Sequence, residues 1–177
     1  DIDGTVIGGQ TGTSIAISGD AKTLLVSSPL VNAEGNDEGT AGSVKSYTID
    51  IANNTWESDG GEIHGLEFDL LDSVSITDDG NLIIVGGIGM NGMTGGFNIY
   101  QRLFDSSGNT TWLYKNGYTG PQVESFYGYS VKISGDGKTM IVGAPKYDFS
   151  GSNNNGAFWI NTISDDFQLT NTYALAG

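Results

Sequence analysis

The chain has no cysteine, one histidine, and only three prolines. Without cysteine there is no disulfide framework, no thiol nucleophile and no thiolate metal site, and the redox compartment stays open. A single imidazole, His64, excludes metal sites built on a histidine pair and any mechanism that needs two imidazoles. Basic residues are equally scarce: seven Lys and Arg stand against twenty-one Asp and Glu, for a net charge of −14. Such a surface repels a phosphate backbone, so nucleic acid is not expected as a partner. Its plainest use is solubility, with cation attraction as the other reading. The apolar stretches are only a few residues long, so no membrane span is expected. No signal peptide begins at Asp1, and the chain reads as either mature or an excised piece. No stretch shows the period of an amphipathic helix.

What is present is glycine, at 28 residues, and apolar alternation broken by tight turns, the pattern of short strands. The pattern also repeats. "GTSIAISGDAKTLLVSSP" at 12–29, "LDSVSITDDGNLIIVGGI" at 71–88 and "GYSVKISGDGKTMIVGAP" at 128–145 align without a gap. The turn aspartates Asp20, Asp79 and Asp136 are 59 and 57 residues apart, and Ser14, Ser73 and Ser130 keep those offsets. A second segment recurs as "GSVKSY" at 42–47, "GGFNIY" at 95–100 and "GAFWIN" at 156–161. A third recurs as "NNTWE", "NTTWL" and "TNTYA", from Asn53, Asn109 and Thr170. Three units follow, 1–60, 61–115 and 116–177.

Each unit reads as four antiparallel strands. In the third, Tyr129, Val131 and Ile133 alternate with Ser130, Lys132 and Ser134, as in a half-buried strand. "SGDGK" is the turn, with Gly135 and Gly137 expected to supply positive φ and Asp136 to bond the turn backbone. "TMIVGAP" is expected to be an inner strand buried on both faces and stopped by Pro145. "AFWINTI" and a strand around Tyr173 complete the unit. Four antiparallel strands in this length describe a propeller blade rather than a solenoid coil.

The blade core "FYGYSVKISGDGKTMIVGAP", with Gly128–Val131 opening it and Gly-Ala-Pro at 143–145, resembles the FG-GAP repeat of integrin alpha-subunit propellers and of microbial and algal surface proteins. The first two copies carry Ser27-Ser28-Pro29 and Gly86-Gly87-Ile88 at the Gly-Ala-Pro position, and Leu71 replaces a small residue. The resemblance implies an all-β fold of three four-stranded blades, part of a larger propeller or blade array, since a closed ring needs about four to eight blades. Three arrangements satisfy that count: a segment of a longer chain, a ring pooled from two or more chains, or an open stack.

Integrin-type blades carry calcium between their first two strands, on six to eight oxygens. The turns "SGDAK", "TDDGN" and "SGDGK" are too short for that cage, so neither metal nor other cofactor is assigned. Calcium stays open only through "DIDG", with Asp1 and Asp3, and through the oxygen-rich loops at 32–39 and 147–156. No catalytic residue is assigned either: His64 reads as a turn residue, no Gly-x-Ser-x-Gly elbow appears, and Asp78-Asp79 and Asp165-Asp166 fall at turns. The recurring Trp56, Trp112 and Tyr173, and Tyr47 and Tyr100, read as packing between sheets. Trp159, Phe149 and Tyr147 are the candidates for an exposed sugar platform. Asn53-Asn54-Thr55 and Asn109-Thr110-Thr111 are glycosylation sequons in equivalent turns.

The expected function is a non-enzymatic, extracellular or cell-surface structural or adhesion module. Its expected partners are other subunits or further blades, with extracellular matrix or glycans beyond them. The alternative is a calcium- or glycan-binding, lectin-like propeller. Fold alone does not separate the two.

Overall fold

The computed structural model describes residues 2–32, 40–148 and 154–176. The chain is all-β and forms three four-stranded sheets, each an antiparallel meander. The first blade holds β1 (Ile15–Ile17), β2 (Thr23–Ser28), β3 (Ser43–Asp50) and β4 (Thr55–His64). The second holds β5 (Leu71–Ile76), β6 (Leu82–Gly87), β7 (Gly96–Phe104) and β8 (Thr110–Thr119), with a single turn α1 (Met90–Met93) before β7. The third holds β9 (Ser130–Ile133), β10 (Thr139–Ala144), β11 (Ala157–Ile163) and β12 (Leu169–Ala176). Among the described residues no helix is long and apolar enough to cross a membrane. The divisions between sheets fall in the linkers 65–70 and 120–129, so the expected boundaries at 60/61 and 115/116 lie within β4 and β8.

The first hairpin of every blade is built by the same chemistry. Ser18, Thr77 and Ser134 each donate a hydroxyl to the turn aspartate two residues on, at 2.6 Å to Asp20, Asp79 and Asp136. The same carboxylates accept the N–H of Lys22, Asn81 and Lys138 at 3.0 Å. Only one of the two expected turn glycines has positive φ: Gly137 at 73°, matched by Gly80 at 71° and Ala21 at 57°. Gly135 is required for space instead, because a Cβ there would collide with the Asp78 carboxylate of the neighbouring blade.

The sheets pack face to face in chain order and leave two apolar seams. Leu25, Val44 and Ile63 of the first blade meet Val74, Ile83 and Tyr100 of the second. On the other side, Ile84, Phe97 and Ile99 of the second meet Val131, Met140 and Val142 of the third. Each fully buried aliphatic or aromatic side chain contributes about 1.5–3 kcal/mol. β6 is therefore buried on both faces, whereas β10 alternates, with Thr139 and Ile141 exposed. The expectation that "TMIVGAP" is buried on both sides is not met among the described residues, in which no further sheet packs on the outer face of the third blade. Tyr129 is exposed because it stands ahead of β9 rather than within it.

Candidate functional site

The polar groups that carry the seams sit on the inner strands. Ser14 Oγ accepts the Val74 N–H at 3.2 Å, and Ser73 and Ser75 accept the Val131 and Ile133 N–H groups at 3.0 and 3.1 Å. The turns add backbone bonds, from Asp20 N–H to the Asp78 carbonyl and from Asp78 N–H to the Gly135 carbonyl, both 3.0 Å. The recurring serine column is thus the inter-blade acceptor.

Between the first two blades lies a buried network that the sequence did not announce. Arg102, the only arginine of the chain, donates to Asp59 Oδ2 at 2.6 Å, to Thr23 Oγ1 at 2.8 Å and twice to Thr110 Oγ1. Ser46 Oγ donates to the other Asp59 oxygen at 2.6 Å and accepts the Trp112 indole N–H at 3.0 Å. The guanidinium also faces the Trp112 ring, 5.7 Å from its centroid. The available signal was the chain's lone arginine, set in a strand that also carries Asn98 and Gln101.

The aromatic candidates separate. Trp112 is buried in the first seam, and its partner across β7 is Arg102, whereas Tyr173 pairs with Ile160 and points out of the molecule. In strand register the counterpart of Trp112 is Leu169, paired with Ile163, so the alignment of Tyr173 with the tryptophans fails at the last hairpin. Trp159 is no platform: it is buried, edge-on to Tyr127 at 5.0 Å and to Tyr147 at 5.2 Å. Phe149, Asp1 and most of the loops at 32–39 and 147–156 lie outside the described residues.

His64 ends β4 opposite Ser43, so it is a strand residue rather than a turn residue, and it stands 3.8 Å from Glu62. Asn53 and Asn109 are exposed in the third hairpin turns of their blades. Each donates its side-chain amide to a turn aspartate, Asp50 at 2.6 Å and Asp105 at 2.9 Å, and these bonds hold both carboxyls below the usual range.

Among the open clefts beside the sheets, two bear on the candidate residues. One, of about 870 Å3, is lined by the 66–70 linker, the α1 turn, Asn98 and Tyr114. Its rim exposes Leu66, Phe68 and Met93, and Phe68, Leu70, Asn91 and Met93 hold left-handed φ there. Burial raises the Asp69 carboxyl, against the hydrogen bond it accepts from the Leu66 N–H. The other, of about 500 Å3, brings Asp78, Asp79, Asp136 and Asp165 together with Lys138 between the second and third blades. Among the described residues no group of three or more acidic or histidine side chains has the geometry to hold a metal ion. Asp72 stands apart from both clefts: burial pushes its carboxyl up to about 7, and its Oδ1 has no hydrogen-bond partner.

The sequence matches no family model and no curated protein. Solved structures do match, and they are β-propeller-like. Sqt1 from Chaetomium thermophilum superposes with a TM-score of 0.60 at 17% identity, over 94% of this chain and 37% of that one. A putative 6-phosphogluconolactonase from Bacteroides uniformis gives 0.58 at 11%, over 89% and 38%. The periplasmic gluconolactonase PpgL of Pseudomonas aeruginosa gives 0.51 at 13%, over 94% and 58%. The three sheets are blades of a propeller-like fold, and the chain spans 37–58% of the length of these structures. At such identities the likeness carries the fold and nothing finer.

Proposed function

We propose that the chain is a non-enzymatic structural or adhesion module of FG-GAP-like blades, working outside the cell or at its surface through contacts with other protein subunits, matrix or glycans. The observation that carries this reading is the outer face of the third blade. Ile141, Phe158, Tyr173 and Leu175 stand exposed on one sheet, an apolar face suited to packing against a further blade or another protein subunit. The paired sequon turns, open to solvent at Asn53 and Asn109, fit a secreted glycoprotein.

The test is solid-phase binding of the chain to immobilised matrix proteins and to a glycan array, beside a gluconolactone hydrolysis assay. Saturable binding to matrix or glycan without lactone turnover supports the module. Lactone turnover overturns its non-enzymatic character.

A further inference from the structure

The cleft beside the 66–70 linker has a counterpart one repeat later. Met93 of the α1 turn lines both, and Val123 and Glu124 stand in the second where Leu66 and Glu67 stand in the first, at the same repeat positions. In the second cleft the protein supplies its own cation: the Lys146 ammonium lies 4.0 Å from the Phe126 ring centroid, with Glu124 and Asp148 lining the same space. In the first, the repeat position of Lys146 is held by Gly89, and no lysine, arginine or histidine stands among the described residues that line it. Gly89 is fixed there by contact. Its N–H donates to the Asp69 carbonyl at 3.1 Å, and a Cβ would collide with the Phe68 carbonyl.

The first cleft therefore keeps aromatic and acidic groups and lacks the cation. Phe68 and Tyr114 are 54% and 55% exposed, and Tyr114 is held edge-on to Tyr100 at 5.8 Å. The face of such a ring attracts a cation, most strongly where water is displaced. Asp69 is half-buried, its Oδ2 accepts the Leu66 N–H at 2.8 Å, and no ion pair holds it among the described residues. Burial raises its carboxyl, as expected of an acid that has lost water without gaining a counter-charge. Leu66, Met90 and Met93 supply apolar surface, and thioethers adapt to the shape of what they touch. The volume of about 870 Å3 is in the range of small-molecule sites, about 300–1,000 Å3. Every lining residue lies between 66 and 114, in the middle blade and the linker that enters it.

We infer that this cleft binds a small organic cation, an ammonium group carried on an apolar body. The ammonium sits against Asp69 and the rings of Phe68 and Tyr114, and the body lies on Leu66, Met90 and Met93. The site adds a ligand to the module and is independent of what the outer faces of the blades contact.

The methionines report on it. The chain has three: Met90 and Met93 line the cleft, and Met140 is buried in the other seam. The chain with methyl-labelled methionine is titrated with benzyltrimethylammonium, and with benzyl alcohol, which keeps the ring and lacks the charge. The expected result is a saturable shift of the Met90 and Met93 methyl signals with Met140 unmoved, and binding of the alcohol at least about tenfold weaker. Tyr114→Ala and Asp69→Asn each weaken the ammonium at least about tenfold, and Asp69→Asn leaves the alcohol unchanged. Met93→Lys, which tethers an ammonium at the rim, abolishes the Met90 shift. The Met140 signal in its parental position confirms that each variant is folded. Absence of a saturable shift, equal binding of the alcohol, or a Met140 shift as large as the others overturns the site. A lysine- or arginine-bearing peptide that moves Met90 and Met93 where the free ammonium does not assigns the cleft to a partner's side chain and likewise overturns the small ligand.

Discussion

Ser73 accepts the Val131 N–H at 3.0 Å across the seam between the second and third blades, with the serine hydroxyl in a buried setting. Ser14 and Val74 repeat the relationship one blade earlier at 3.2 Å. Each bond satisfies a backbone donor on the inner edge of a sheet, where the ladder offers no partner.

Ser73→Ala therefore leaves the Val131 N–H buried and unpaired, a loss of about 1–3 kcal/mol. Ser130→Ala, the same change at the exposed end of the column, costs under about 0.5 kcal/mol in the monomer. Urea denaturation of both variants checks the contrast. Equal losses would show that the serine column acts within its own strand and not across the seam.

Arg102 and Asp59 form a buried ion pair at 2.6 Å, each side chain 9% exposed. Removing one partner strands the other charge in the seam, so Arg102→Ala is expected to cost about 3–5 kcal/mol, while a paired replacement by apolar residues of similar volume costs far less. Thermal unfolding of Arg102→Ala, Asp59→Ala and an Arg102→Met/Asp59→Leu double variant tests the ordering. A single variant as stable as the double would mean that water already reaches the pair.

The period of the repeat, the four strands of each blade and the turn aspartates were legible because each depends on spacing along one stretch of chain. Asp20, Asp79 and Asp136 do in the structure what their turns required of them. What could not be read is which sheet face has a neighbour. Ile84 and Ile141 sit at the same point of the same alternation, yet one is sealed in a seam and the other is open. The Tyr173 assignment failed because strand register at the last hairpin is set by turn geometry, which letters alone underdetermine. Trp159, a candidate for an exposed sugar platform, is instead enclosed by Tyr127 and Tyr147, which come from other segments. The Arg102 network joins residues as far as 79 positions apart, beyond any local signal.

Gly128 joins two demands at one position. Its φ is 89°, and a Cβ there would collide with the Gly96 carbonyl of the second blade. Gly128→Ala must adopt a conformation costing about 1–3 kcal/mol and also push two sheets apart. The variant is expected to unfold at least 10 °C below the parent, whereas Gly108→Ala, also at positive φ but with open space around it, loses only the backbone term. Differential scanning calorimetry of the pair separates conformation from contact.

Asp72 sets a pH dependence of unusual sign. Its folded-state carboxyl is pushed up to about 7 by burial, above the value of about 3.9 in the unfolded chain. Between those two values the folded state holds a proton that the unfolded state has lost, so stability falls as pH rises from about 4 to about 7 and levels off above. The full effect is on the order of 4 kcal/mol, the free energy of ionising a carboxylate with no partner at Oδ1. Asp20, Asp79 and Asp136 act in the opposite direction: their hydrogen bonds hold them below the ordinary range, so what they contribute is present above about pH 4 and is lost in acid. Asp72→Asn removes only the first dependence. The variant should be more stable than the parent at pH 8 and should approach it at pH 4, because the protonated parent and the amide are both neutral there. Urea unfolding at the two pH values measures the difference directly. An Asp72→Asn variant that tracks the parent at every pH would mean that the carboxylate ionises with the same ease folded and unfolded, and that solvent or a cation reaches the inner strand of the second blade.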